Sequence, residues 1–161
     1  MTLGELAKTL PNGLHDSALK SLSIDYEHRT LCLDVSIKVG DSDGPREQRD
    51  DVRDAEIQMS GVVFFVIDPP SSDAGYDFKS PGELWIVDDY ETRSIPRFTK
   101  TIDKKLLDAV PAEAFVQSFF VSEWNSYLHV AARDCAMKWV GVARHYAGVR
   151  QAFHPGETVD L

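Results

Sequence analysis

The pair with the clearest chemical potential is His15-Asp16, in the stretch "NGLHDSALKSLSIDYEHRTLCLDVSIKV" at residues 12–39. A histidine–aspartate pair on a helix can ligate a divalent metal when a second histidine and a later aspartate complete the set. It would then serve a metal-dependent hydrolase. Ligation needs several donors converging on one ion at bond-length distances. Pro11 and Gly13 disfavour a helix around the pair, and His28, His129, His145 and His154 form no HxH or HxxxH spacing with each other or with it. The same two residues also have a structural use. Asp16 or Ser17 caps a turn, and His15 hydrogen-bonds to it, fixing the chain's entry into a strand. The sequence favours this structural use, with a hydrolase using His15, Asp16 and His129 as the alternative.

The remaining candidates are thinner. His28 falls in a predicted hairpin turn, and His129 alternates with Leu128 and Val130, which places it at the surface. There is no GxSxG elbow, no P-loop and no glycine fingerprint. Neither Cys32 nor Cys135 has a basic sequence neighbour to activate its thiol, and both read as reduced. Asp88, Asp89, Tyr90 and Glu91 offer oxygens, but a Ca²⁺ loop needs about five or six at fixed spacing, so a solvated strand edge is expected. No metal and no cofactor is expected. Aromatics are more suggestive, because residues 115–124 carry them on both faces. Such a strand is either central in a sandwich or half of an exposed patch. A patch rimmed by acids would bind a protein, with Trp85, Asp88, Asp89, Tyr90, Trp124 and Tyr127 as the candidate interaction surface.

The elements that must position these residues read mostly as strands. A short helix over 2–10 has Thr2 as its N-cap and Leu3, Leu6 and Leu10 on one face, and Pro11-Asn12-Gly13 stops it. Period-two alternation follows, with Leu22, Ile24 and Tyr26, then Leu31, Leu33, Val35, Ile37 and Val39; this is a hairpin. Residues 40–54 hold six acids, three arginines, two glycines and a proline, which predicts a flexible, solvated acidic loop. "AEIQMSGVVFFVID" predicts a strand that becomes covered on both faces, with a bulge at Gly61. Residues 71–82 read as loop, 83–91 as a strand, and 103–110 as a helical turn or two. In the last third, strands over 114–124, 127–132 and "AMKWVGV" compete with one long helix, since Val121, Trp124, Leu128, Ala131, Cys135, Trp139 and Val142 also fit a helical stripe. The tail after 148 is expected to fray.

The fold class is therefore mainly β: an antiparallel sheet of five to seven strands, as a sandwich or half-open barrel, with one or two short helices. An α+β fold with a long C-terminal helix is the alternative. At 161 residues, 43% hydrophobic and 27% charged, the chain fits one soluble domain spanning 1–161. Its formal charge of −9 repels phosphate backbones, so no nucleic-acid partner is expected, while a basic protein partner is. The longest apolar run, 61–67, is far short of the roughly 20 residues that span a bilayer. The N-terminus lacks the pattern of a signal peptide. A cytoplasmic location, no membrane contact and an unassigned oligomeric state follow.

Three segments, "LHDSALKSLSIDY", "TLCLDVSI" and "IQMSGVVFF", carry a resemblance. In order and pattern the chain resembles small bacterial proteins with an N-terminal HD pair before a hairpin, including immunity proteins of polymorphic toxin systems. That resemblance implies a β-rich scaffold without established catalysis, and toxin neutralisation by an acidic surface.

Overall fold

Apolar residues at every second position of 31–37 can share one face only in an extended backbone. A computed structural model describes residues 1–41, 43–69, 84–91, 104–121 and 126–145, with backbone alone at 46, 47 and 84–91. In it β1 (Ser17–Asp25) and β2 (Thr30–Lys38) form the antiparallel hairpin, paired from Ala18↔Ser36 to Asp25↔Thr30. Leu31, Leu33, Val35 and Ile37 are all 2% exposed or less, and each contributes about 1.5–3 kcal/mol by leaving water. Tyr26 departs from the expected alternation. The strand ends at Asp25, whose carboxylate accepts the His28 backbone N–H at 2.9 Å, and Tyr26 stands in the turn, largely exposed.

Helix α1 (Leu3–Ala7) starts on a capping box. The Glu5 N–H donates to Thr2 Oγ1 at 3.1 Å, and the Thr2 N–H donates to Glu5 Oε2 at 2.7 Å. Leu3, Leu6, Ala7 and Leu10 are buried in the main core.

The expected loop at 40–54 is shorter than its composition indicates. Arg46–Arg49 forms a helical turn, α2, and strand β3 runs Asp51–Ser60. The Val39 and Gly40 N–H groups both donate to Asp51 O, at 2.8 and 3.0 Å, which closes the connection. β3 then pairs with β2 from Thr30↔Ser60 to Lys38↔Val52.

At Gly61 the backbone takes φ +61°, a region open to glycine and costly to most other residues. The expected bulge is in fact a break. β3 ends at Ser60, and a separate strand β4 (Phe64–Ile67) leaves to pair with β7. β4 lies at a sheet edge, so Phe64, Phe65 and Val66 are half-buried and Ile67 is exposed, where burial on both faces was expected. The remaining strands are β5 (Leu84–Glu91), β6 (Phe115–Val121), β7 (Ser126–Ala132) and β8 (Asp134–His145), with helix α3 (Lys104–Asp108) before β6. Residues 126–145 are strands, so the helical stripe is not used. The tail after 148 lies outside the described residues.

The chain is mainly β and antiparallel, with strand order β4-β7-β6-β5-β1-β2-β3-β8. Among the described residues eight strands replace the five to seven expected, because Gly61 divides one into two. The β1–β5 join is brief, running from Ser17↔Ile86 to Leu19↔Leu84, and it separates two four-stranded halves. β3 passes into β4 at Gly61, and β7 passes into β8 at Arg133. The two bends touch: a Cβ on Gly61 would lie 3.0 Å from Arg133 Cδ. Strands that switch halves at a bend form the corners of a folded-over sheet. The main core draws on both halves, joining Leu33 and Ile57 with Phe119, Leu128 and Val130. A second cluster, Val110, Ala114, Val116 and Ala131, covers the other face of β6 and β7. No helix among the described residues is long and apolar enough to cross a membrane.

Candidate functional site

His15 and Asp16 lie in the turn before β1, not on a helix. The turn satisfies its own backbone, since the Gly13 N–H donates to Leu10 O at 3.3 Å and the Ser17 N–H to Leu14 O at 3.2 Å. Asp16 takes φ +57°, which aspartate tolerates better than most residues. Its carboxylate does not fill the expected role of backbone cap. One oxygen lies 3.6 Å from His15 Nε2, and the other lies 3.8 Å from Lys38 Nζ.

His129 is far from this turn in environment. The sequence places it at the surface, whereas the structure buries it completely. Its face of β7 is covered, so alternation with Leu128 and Val130 selects between two buried faces. Nδ1 lies 2.7 Å from Ser118 Oγ on β6, and Nε2 lies 3.6 Å from the Asp68 carboxylate. That second distance is within ion-pair range but too long for a hydrogen bond, and Nε2 has no hydrogen-bond partner among the described residues. The Tyr127 ring stacks on the imidazole at 5.7 Å and meets Phe120 at 5.2 Å. Burial lowers the His129 pKa below 6.5, opposed by the Asp68 charge, so the ring is neutral at neutral pH.

Ser118, His129 and Asp68 share the residue types of a hydrolytic triad, but not its setting. Ser118 is 1% exposed, which denies a substrate the approach a nucleophile requires. It also sits within the β5–β6–β7 ladder, unlike the sharp, exposed turn that presents such a serine. Sequence reasoning missed Ser118 and Asp68, which no spacing links to His129.

A three-donor set does form elsewhere among the described residues. Cys32, Asp34 and Glu56 bring their donor atoms within 4.8 Å of one another on the wet face of β2 and β3. His15, Asp16 and His129 form no such set. Lys138 Nζ lies 2.9 and 2.8 Å from the two Glu56 oxygens, and Ser21 Oγ donates to Asp34. Burial and the neighbouring carboxylates raise the Cys32 pKa, and burial pushes Cys135 up to about 11. Both cysteines are free and protonated at neutral pH.

The expected interaction surface is only partly described. Trp85 pairs with Ala18 in register, while Asp88, Asp89 and Tyr90 pair with Phe120, Phe119 and Ser118. β5 is therefore an interior strand. Tyr127 is half-buried against His129. Trp124 lies outside the described residues.

Sequence reading did not foresee that the HD turn joins the acidic connection. The Asn12 amide donates to Lys38 O at 3.1 Å and Gly40 O at 2.9 Å, tying the two segments together. Lys38 Nζ then stands between Asp16 and Asp50, at 3.8 and 4.0 Å. Asp51 lies 3.4 Å from His145 Nδ1, and Asp41, which accepts the Asp43 N–H at 2.9 Å, is exposed. Asp16 and Asp50, from two different connections, thus meet at Lys38, and Asp41 and Asp43 lie in the second of these connections, which runs into Asp51 at the start of β3.

No family model matches the chain, and no curated protein does. Among solved structures it is similar to an uncharacterized protein from Neisseria gonorrhoeae, at 11% identity and a TM-score of 0.40, over 77% of this chain and 91% of that one.

Proposed function

We propose that the chain is a non-enzymatic interaction domain whose acidic end docks a basic protein partner. The observation behind this reading is that Lys38 stands between Asp16 and Asp50, with Asp41 and Asp43 exposed in the same connection as Asp50, and Asp51 next to it. Excess carboxylates on a framework fixed by Asn12 attract cationic side chains and speed their encounter, more strongly at low salt. The formal charge of −9 adds to this field and works against phosphate-backbone ligands. The sequence resemblance to immunity proteins gives the partner a more specific form, a basic toxin domain.

The test compares wild type with an Asp41→Asn/Asp43→Asn/Asp50→Asn variant. Each is used as bait in lysate of the source cell, and any basic protein retained by the wild type is then purified and titrated against both. The reading expects a Kd that weakens with salt, and a further loss of about tenfold or more in the variant, equivalent to about 1.4 kcal/mol. Equal affinity of both baits, or retention that is indifferent to salt, would overturn it.

A further inference from the structure

The buried Asp68–His129–Ser118 cluster has no part in docking at the acidic end, yet it joins the short end strand β4 to its neighbour. β4 has four residues and, among the described residues, pairs with β7 alone. Its far end is held by polar contacts: the Asp68 N–H donates to Tyr127 O at 2.9 Å, and Ser126 Oγ donates to Asp68 O at 2.8 Å and to Pro69 O at 3.1 Å. His129 pairs with Val66 in register. Lifting β4 therefore takes Asp68 from the imidazole and opens Nε2, which has no hydrogen-bond partner among the described residues, to water.

We propose that this cluster is an acid-sensitive latch, closed on β4 while His129 is neutral and released in acid because the uncovered imidazole takes up a proton. The described groups facing the ring are the Asp68 carboxylate from the end of β4, the Ser118 hydroxyl from β6 and the Tyr127 phenol from β7. Tyr90 of β5 stands next to Ser118 in register. A neutral tautomer carrying its proton on Nε2 accepts from Ser118 through Nδ1 and presents the N–H to Asp68. The sign follows from linkage. Burial sets the closed-state pKa below 6.5, while the opened ring titrates near 6.5. Opening is therefore favoured as pH falls below about 6.5, up to tenfold per pH unit, until the closed-state value is reached.

Amide hydrogen exchange, corrected for its intrinsic pH dependence, tests this on Phe64–Ile67 of β4 against Leu31–Ile37 of β2. Between pH 6.5 and 5.5 the open population of β4 should rise by up to about fivefold, with β2 unchanged. His129→Gln should abolish the rise, and His15→Gln should keep it. A rise that persists in His129→Gln, no rise in wild type, or β2 opening in step with β4 overturns the latch. Should His129→Gln not fold, NMR titration of the wild-type ring decides: a midpoint below 6.5 supports the latch, and one at or above 6.5 overturns it.

Discussion

Lys20 reaches Asp54 across an intervening strand, with Nζ 2.6 Å from Oδ1. Lys20 belongs to β1 and Asp54 to β3, with β2 between them. The register slips between Leu19 and Ser21, which makes Lys20 the extra residue of a bulge and re-aims its side chain. Asp54 also accepts from Ser36 Oγ of β2 at 2.9 Å and from Arg144 Nη2 of β8 at 3.0 Å. One carboxylate therefore ties together all four strands of this half.

The acid limb of stability should report that junction. Burial raises the Asp54 pKa, but hydrogen bonds from Lys20 and Ser36, with the charges of Lys20 and Arg144, outweigh it and leave the value below 3.8. A depressed folded pKa gives stability that is complete above the unfolded value and lost as pH falls through the folded one. Urea midpoints measured from about pH 5 to about pH 2.5 should fall for wild type and fall less for Asp54→Asn. At neutral pH the variant should be weaker by about 1 kcal/mol, since the site is partly open to solvent screening. A constant gap between the two proteins across that range would remove Asp54 from the account.

Gly61→Ala tests the corner where β3 becomes β4. The substitution meets φ +61° and places a Cβ 3.0 Å from Arg133 Cδ. Arg133 is exposed and can yield, so the backbone dominates, at about 1–2 kcal/mol. A drop in melting temperature of several degrees is expected. Arg133→Ala in the same background should recover little of it.

A sharper outcome is expected at Gly40. A Cβ there would fall 2.2 Å from Gln48 O and 2.4 Å from Arg49 O, and backbone oxygens cannot swing aside as side chains do. Gly40→Ala should cost about 2 kcal/mol or more by denaturant titration. A silent substitution would mean that α2 does not hold its place against β2.

For Asp16, the backbone makes glycine and alanine diverge. Both lose the carboxylate near Lys38, but only alanine keeps a Cβ at φ +57°. Asp16→Ala should lower the melting temperature by a few degrees, and Asp16→Gly by less. Equal effects would assign the role to the carboxylate alone.

What the sequence made legible was the set of strands with one wet face. Leu31 to Ile37 betray β2 because their alternation reflects a single buried side. Asp51 to Asp54 were hidden because their charges suggest solvent, while the partners that make them a strand, Lys20 and Arg144, come from distant positions. His129 was hidden for a related reason: a strand covered on both faces gives alternation no polar side to mark. The tie between the HD turn and the acidic connection depends on Asn12 reaching Lys38 O and Gly40 O, a contact that no local spacing encodes.

The pairing of β3 with β8 also governs events during synthesis. The hairpin partner of β3 precedes it in the chain, but its other neighbour begins 74 residues later, at Asp134 after Ser60. At translation rates of about 5–20 residues per second, the outer edge of β3 waits roughly 4 to 15 seconds for its partner to be made. During that interval Ala55, Ile57 and Met59 belong to an unfinished sheet whose free edge can recruit another nascent chain. Asp51, Arg53, Asp54 and Glu56 along the same strand supply charges that guard against such premature pairing until β8 arrives.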